Sequence, residues 1–251
     1  MYLVELSDKR NEILYCKLKK LHDTQGYKQN SNLIKEGACI IFSPAKKLKS
    51  EDVERLPKRI KVIGGNQKSD ILEMFKAQKI EYINILSDEL FTVKNAVLTA
   101  ECTLRILIDA TEKSIFENSI LILGCGRIGK ALSLLFSKLD LNFAVCSHSK
   151  AGFEATPLYC KRSYFEMGFL PEIAQFDVII NTAPALILKE DALLKMAPNT
   201  SIIELASVPC LDTQILKNLP LKYISAPGLP SLYCPETAAG IMLETILKLN
   251  D

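Results

Sequence analysis

The stretch ILILGCGRIGK, residues 120–130, decides the fold of this chain. Four apolar residues typical of a buried strand run into the pattern GxGxxG, and a helical pattern follows. Gly124 permits a tight turn, Gly126 lets the backbone approach a pyrophosphate, and Gly129 lets the helix pack closely on the strand. The segment therefore predicts a strand, a turn and a helix whose N-terminus binds phosphate groups.

Short apolar runs alternate with helical segments through most of the chain, which is the pattern of repeated β-α units around parallel sheets. Strands are predicted at residues 2–6, 38–43, 59–63, 80–86, 120–124, 142–146, 177–181, 201–206 and 221–225. Helices are predicted at residues 8–22, 68–77, 100–112 and 236–249. The polar segment 24–35 is predicted to be a loop. The fold class is therefore α/β, with two doubly wound Rossmann-like domains, parallel sheets and a cleft between them.

The domain boundaries follow from this alternation. Residues 1–95 form the predicted N-terminal α/β domain, and residues 96–118 form a linking helix and hinge that ends in a polar run. Residues 119–235 form the predicted Rossmann NAD(P)-binding domain. Residues 236–251 form a C-terminal helix whose apolar side chains recur at helical spacing, so one of its faces should pack on a core.

The glycine motif in this context predicts a dinucleotide site, and the alternative is a strand-to-helix turn that is glycine-rich for structural reasons alone. NAD-specific folds place an acidic residue at the end of the second strand, here near Cys146, to bind the ribose 2′-hydroxyl group. Residues 141–153 contain no carboxylate. They offer four side chains able to donate to a 2′-phosphate: Ser147, His148, Ser149 and Lys150. The sequence therefore favours NADP(H) over NAD(H), unless these residues form an ordinary polar loop.

Composition argues against several classes of protein. The 31 Lys and Arg residues exceed the 29 Asp and Glu residues by two and are scattered, so the basic footprint of a nucleic-acid-binding protein is missing. The eight cysteines include no CxxC pair, which favours a reduced, cytoplasmic protein, and no metal site is predicted. No apolar run approaches the roughly 20 residues of a membrane span, and the first residues lack the apolar region of a secretory signal.

Five further segments share their order and spacing with a known family: NAVLTAE (95–101), NTAP (181–184), ELAS (204–207), APGLP (226–230) and PETAAG (235–240). Together with the glycine motif they resemble the family of dipicolinate synthase A subunits, from about residue 90 to the C-terminus. Each segment alone has a simpler explanation, such as a strand exit at 181–184, a helix N-cap at Thr99 or a rigid turn at 226–230. Their combination carries the resemblance.

The resemblance implies an NAD(P)-dependent oxidoreductase of sporulation. In the implied reaction a dihydrodipicolinate-type ring is oxidised to dipicolinate, hydride passes to NADP⁺, and the partner is the flavoprotein-like B subunit of dipicolinate synthase. A homo-oligomer is left open. Loops at the carboxyl ends of the strands would line the nicotinamide site. The cofactor contacts implied beyond the three glycines are Arg127, Ile128, Thr182, Ala183, Pro184, Ala206, Pro227 and Gly228.

Catalysis of this kind requires a proton acceptor, and the family-matched carboxylate is Glu101. The residues expected to orient the substrate are Asn95, Thr99 and Ser207. Glu101 also fits a different role, because an acidic residue in the first turn of a helix interacts favourably with the helix dipole.

One departure from the family bears on the substrate site. Where the family continues Leu-Ala-Ser with Arg-Pro-Gly-Gly, this chain has VPCL at residues 208–211. A guanidinium able to pair with a substrate carboxylate is absent there. This departure leaves open the alternative of a non-catalytic NAD(P)-binding scaffold or sensor. A second alternative is a dehydrogenase of the shikimate or methylene-tetrahydrofolate type, which shares the architecture, although its polar substrate motifs are not evident in residues 1–95. A 2-hydroxy-acid dehydrogenase is disfavoured, because the two histidines of the chain, His22 and His148, lie far from the C-terminal region.

Overall fold

The computed structural model describes residues 1–27, 34–155, 163–165 and 173–249. Its contacts divide the chain into two compact units. The first unit combines Met1–Asn95 with Pro230–Asp251, and the second unit is Ala96–Leu229. Within the described residues, no helix is both long enough and apolar enough to cross a membrane.

The first unit is built on a parallel sheet of five short strands. They are β1 (Tyr2–Val4), β2 (Thr24–Gly26), β3 (Cys39–Ile41), β4 (Lys61–Gly64) and β5 (Glu81–Asn84), in the order β2-β1-β3-β4-β5 across the sheet. The helices between them are α1 (Lys9–Lys19), α2 (Ser50–Glu54) and α3 (Ser69–Ala77). Successive residues of β3, Ile40 and Ile41, belong to two different buried clusters. Both faces of the sheet are therefore covered, which explains the unbroken apolar runs.

The helix after β5 is longer than the sequence predicted. α4 (Glu89–Ala110) begins at Glu89 rather than near residue 100. Asp88 caps it, because its Oδ1 accepts a hydrogen bond from the Phe91 N–H at 2.8 Å, and this bond contributes most to lowering the pKa of Asp88. The interpretation of Thr99 as a helix N-cap is therefore wrong, and Glu101 lies well beyond the first turn. Asp88 supplies the carboxylate acceptor that a helix start favours.

The second unit is built on a parallel sheet of six strands. They are β6 (Ile120–Leu123), β7 (Phe143–Ser147), β8 (Ser163–Phe165), β9 (Val178–Asn181), β10 (Ser201–Glu204) and β11 (Lys222–Ser225). The helices are α5 (Arg127–Lys138), α6 (Lys150–Ala155) and α7 (Glu190–Leu194). The short helix α8 (Leu229–Tyr233) begins at the last residue of this unit and continues in the first unit. The order β11-β10-β9-β6-β7-β8 changes direction at β6. A switch point of this kind is where open α/β sheets bind ligands, and the predicted α/β class with two parallel sheets is confirmed.

The last helix, α9 (Pro235–Lys248), belongs to the first unit. It packs against α1, and its buried Met242 and Ile246 share a core cluster with Leu14 and Leu18. The helix predicted at residues 236–249 is confirmed. The apolar spacing of the sequence showed that one face is buried, but it carried no information on which sheet that face would meet.

Two edge strands were not predicted. β2 falls inside the segment 24–35, so the loop prediction is wrong for residues 24–26, whereas residues 28–33 lie outside the described residues. Among the described strands, β8 pairs only with β7. Each has three residues and a partner on one side, so neither needs the long apolar run that identifies a central strand.

Candidate functional site

The three glycines of the loop between β6 and α5 differ in what a side chain at each position would contact. Gly124 has a φ of +100°, in the left-handed region, and a Cβ there would lie 2.6 Å from Thr182 Oγ1. A Cβ on Gly129 would lie 2.1 Å from the Gly124 carbonyl oxygen, so the helix and the strand end are too close for a side chain. A Cβ on Gly126 would meet no described atom within 4 Å. Gly126 therefore borders open space.

The open space lies at the start of α5. The Lys130 N–H donates to the Gly126 carbonyl oxygen at 2.9 Å, which closes the first turn of the helix. The first N–H groups of any α-helix have no acceptor within the helix itself, and the helix dipole makes this end positive. Arg127 is exposed and Ile128 is half-buried. Open space in front of a positive helix N-terminus fits a pyrophosphate group.

The polar segment after β7 lies at the same edge of the sheet. β6 and β7 are parallel neighbours, and the Gly124 N–H donates to the Cys146 carbonyl oxygen at 2.8 Å. His148, Ser149 and Lys150 are exposed, whereas Ser147 is buried and its hydroxyl donates to the Ser149 carbonyl at 3.2 Å. The structure therefore brings three of the four predicted 2′-phosphate ligands to the surface, and it uses Ser147 to shape the turn.

The residues that follow β9 are hydrogen-bonded to the end of β6, where the glycine loop begins. The Thr182 hydroxyl donates to the Leu123 carbonyl oxygen at 2.9 Å, and the Thr182 N–H donates to the same oxygen at 2.9 Å. Thr182 thus ties the end of β9 to the end of β6. Ala183 is half-buried and Pro184 is exposed, so they are the members of this segment that a ligand can reach.

A buried carboxylate organises the exit of β10. Glu204 is 1% exposed, and its Oε1 accepts hydrogen bonds from Asn181 Nδ2 at 2.7 Å and from the Ala206 N–H at 2.9 Å. Its Oε2 accepts from the Cys210 N–H at 2.7 Å. Three donors therefore compensate the burial of this side chain. Glu204 and Asn181 were quoted as parts of family segments, but no role was predicted for them. The sequence feature that could have indicated a role for Glu204 is its position as a carboxylate at the end of an apolar strand.

The same carboxylate influences two neighbours. Burial, and then the nearby Glu204, raise the pKa of the Cys210 thiol, so this cysteine stays protonated. Burial and Glu204 also raise the pKa of Tyr223 to about 12. Neither group is prepared for nucleophilic chemistry at neutral pH. Among the described residues, no group of three or more His, Cys, Asp or Glu side chains is placed to hold a metal ion.

The four residues expected to handle the substrate fall into different environments. Glu101 is exposed, whereas Thr99 is 6% exposed. Two residues along an α-helix correspond to a turn of about 200°, so these side chains leave opposite sides of α4. Asn95 lies one turn before Thr99 and is half-buried, and Ser207 is exposed after β10. The structure does not bring Glu101 and Thr99 to one face of the helix.

The remaining cofactor residues follow the last two strands of the sheet. Ala206 is half-buried after β10, and Pro227 and Gly228 are exposed after β11. Gly228 has a φ of +69°, which favours glycine at this turn. Because neighbouring strands of this sheet are parallel, the exits of β6, β7, β9, β10 and β11 share its carboxyl edge. The predicted cofactor residues therefore lie along one edge of the second unit.

Comparisons with known proteins agree with this geometry. No family model matches the chain. It is 27% identical over 211 residues to the A subunit of dipicolinate synthase from Bacillus subtilis (strain 168), covering 80% of this chain and 68% of the relative. The crystal structure of the dipicolinate synthase A chain from Bacillus subtilis superposes with a TM-score of 0.83 at 22% identity, covering 99% of this chain and 94% of that one. An L-alanine dehydrogenase superposes with a TM-score of 0.68 at 10% identity, covering 99% and 88%. The predicted resemblance is confirmed, and the chain shares its fold with dehydrogenases.

Proposed function

From this similarity to the A subunit of dipicolinate synthase, we propose that the chain is the nicotinamide-binding subunit of such a synthase. It oxidises a dihydrodipicolinate-type ring to dipicolinate with NADP⁺, and the flavoprotein-like B subunit is its partner. The observation that carries the proposal is the glycine loop. Gly126 borders open space at the start of α5, whereas a Cβ on Gly124 would meet Thr182 and a Cβ on Gly129 would meet the Gly124 carbonyl oxygen.

The cofactor contacts follow the carboxyl edge of the second sheet. The N-terminus of α5 takes the pyrophosphate, and the exposed His148, Ser149 and Lys150 take the 2′-phosphate. Lys150 is positioned as a donor on a short helix, with Glu154 3.8 Å away as a weak, exposed partner. We propose NADP(H) rather than NAD(H), because no carboxylate is available for a ribose 2′-hydroxyl between residues 141 and 153.

Bound NADP⁺ would supply the hydride acceptor, and aromatisation of the ring also releases a proton. The chain's own part is to hold the ring and accept that proton. Glu101 is the proposed acceptor, because it is the family-matched carboxylate and its side chain is exposed on α4. Ser207 is the proposed donor to the substrate, and Asn95 assists from the same helix as Glu101. The buried Thr99 supports α4, since its carbonyl oxygen accepts from the Thr103 hydroxyl at 2.7 Å.

The alternative of a non-catalytic scaffold or sensor is favoured by one specific feature, the replacement of the family arginine by Val208. The test is turnover of enzymatically generated dihydrodipicolinate with NADP⁺, followed as NADPH absorbance, with and without the flavoprotein-like partner. The proposal expects NADPH formation in at least one arrangement and its loss in Glu101→Gln. Tight NADPH binding without turnover in either arrangement would instead support the scaffold. Failure to bind either NADPH or NADH would refute both.

A further inference from the structure

The first unit carries a second cluster of charged side chains, remote in sequence from the glycine loop. Glu5 and Asp8 follow β1, Arg10 lies in the first turn of α1, and Ser43 and Lys46 follow β3. β1 and β3 are parallel neighbours, and the Glu5 N–H donates to the Ile41 carbonyl oxygen at 2.9 Å. The cluster therefore lies at the carboxyl edge of this sheet, which is the edge where open α/β sheets bind ligands.

Arg10 is the most buried charge of the cluster, with 6% of its surface exposed. Its Nη2 donates to Asp8 Oδ2 at 3.3 Å and to Ser43 Oγ at 3.1 Å. The Ser43 hydroxyl in turn donates to Asp8 Oδ2 at 2.7 Å. The buried Nε–H of Arg10 has no acceptor among the described residues. A buried donor without an acceptor is rare in folded proteins and marks a place where a further group belongs.

Lys46 brings a second cation to the same edge. Its Nζ lies 3.0 Å from Glu5 Oε1, and 39% of its side chain is exposed. Only 14% of the Glu5 side chain is exposed, and its Oε2 also accepts from the Ser7 hydroxyl at 3.0 Å, so Glu5 keeps a hydrogen-bond partner when Lys46 turns to a ligand anion. Arg10 and Lys46 thus combine a rigid guanidinium fork with a mobile ammonium group.

The segment that carries Ser43 and Lys46 is held in place by the loop that follows β4. Gln67 Nε2 donates to the Lys46 carbonyl oxygen at 2.8 Å, and Gln67 Oε1 accepts from the Leu48 N–H at 2.9 Å. A Cβ on Gly65 would lie 1.9 Å from the Pro44 carbonyl oxygen, so the two loops are in direct backbone contact. Backbone groups fixed in this way preorganise the side chains they carry.

We propose that Arg10, Ser43 and Lys46 form a binding site for one carboxylate of a small dicarboxylate ring. Arg10 offers the Nε–H that has no acceptor among the described residues, and Lys46 supplies the second positive charge. Ser43 and Asp8 hold the guanidinium in position. The inference rests on the proposed function for the identity of the ligand.

The test is calorimetric titration of the full chain with pyridine-2,6-dicarboxylate in the absence of nicotinamide. Pyridine-2-carboxylate and inorganic phosphate, titrated in parallel, distinguish a ring dicarboxylate from any small anion. The variants are Arg10→Lys, Arg10→Gln and Lys46→Met. The matched controls are Arg59→Gln and Lys9→Met, because these exposed cations pair with Glu36 and Glu12 on the surface of the same unit.

We expect pyridine-2,6-dicarboxylate to bind the wild type and both controls equally, and to bind Lys46→Met and Arg10→Gln at least tenfold more weakly. Arg10→Lys keeps the positive charge but loses the planar guanidinium group, so its affinity should lie between that of the wild type and that of Arg10→Gln. If Arg10→Gln fails to fold, Arg10→Lys and the partly exposed Lys46→Met carry the test. Unchanged affinity in folded variants of both positions overturns the inference, as does equal affinity for phosphate.

The outcome is separable from that of the proposed function. A chain that binds NADPH but not pyridine-2,6-dicarboxylate contradicts the carboxylate site and leaves the nicotinamide site standing. A chain that binds the dicarboxylate through Arg10 and Lys46 but not NADPH contradicts the proposed function and leaves the carboxylate site standing.

Discussion

The side-chain amide of Asn181 donates to the buried carboxylate of Glu204 across two paired strands, with Nδ2 and Oε1 2.7 Å apart. The two residues are register partners at the ends of β9 and β10. Because Glu204 also accepts from the backbone at Ala206 and Cys210, one carboxylate fixes the whole loop that presents Ser207 and Val208. The loop proposed to contact the substrate is therefore held in place by the buried Glu204 side chain.

Replacing Glu204 by Gln should destabilise the fold. The amide keeps one acceptor oxygen and turns an NH₂ group toward buried N–H donors, so we expect a loss of about 2 to 4 kcal/mol in the free energy of unfolding. The denaturant midpoint measures it. Glu190→Gln is the control, because Glu190 is exposed on α7 and its loss should change the free energy by no more than about 0.5 kcal/mol. Equal midpoints for the two variants would show that the Glu204 network carries no stability.

Gly126→Val should abolish NADPH binding and leave the fold intact. A Cβ at this position meets no described atom, so the new side chain fills only the space assigned to the pyrophosphate. Gly129→Ala should do the opposite and lower the melting temperature, because its Cβ would lie 2.1 Å from the Gly124 carbonyl oxygen. Calorimetry and thermal unfolding separate the two effects. If Gly126→Val retains wild-type affinity for NADPH, the glycine loop is purely structural.

NADPH should bind more tightly than NADH, and Lys150→Met should reduce the difference. Loss of one charge-assisted contact to a phosphate lowers affinity by roughly tenfold or more. NADH lacks the 2′-phosphate, so its affinity should not change. Lys138→Met, an exposed lysine at the end of α5, is the matched control. Equal affinities of the wild type for NADPH and NADH would contradict the cofactor assignment.

Sequence reasoning succeeded where one local pattern determined the structure. The apolar strand and the spacing of Gly124, Gly126 and Gly129 required a β-α unit, and Gly124 and Gly129 have the expected steric roles, while Gly126 borders open space. It failed at α4, because the helix start depends on Asp88, whose capping role is visible only once the preceding strand ends. It also grouped Glu101 with Thr99 as neighbours in the family segment, although helical geometry sends them to opposite sides. The Glu204 network joins residues far apart in sequence, so no local pattern could reveal it.

The wild type should lose stability above about pH 9, and Cys146→Ala should lose less. Burial raises the pKa of Cys146 from 9.0 to about 11. Below pH 9 the thiol is protonated in both states, so it has no effect. Between these pKa values the unfolded chain loses the proton first, so stability falls as pH rises, by up to about 3 kcal/mol. Urea midpoints from pH 8 to 10.5 measure the slope, with the exposed Cys16→Ala as control. Identical slopes for the two variants would contradict the burial effect.

Val208→Arg should strengthen the binding of dicarboxylate rings. Val208 is 48% exposed beside Ser207, so an arginine there costs no core packing, and it restores the cation that the family segment carries. One charge-assisted pair contributes about 1.5 to 3 kcal/mol, or roughly tenfold to a hundredfold in affinity. Leu194→Arg, at an exposed apolar position on α7, controls for added charge. An equal response of Val208→Arg and Leu194→Arg would show that position 208 does not reach the substrate.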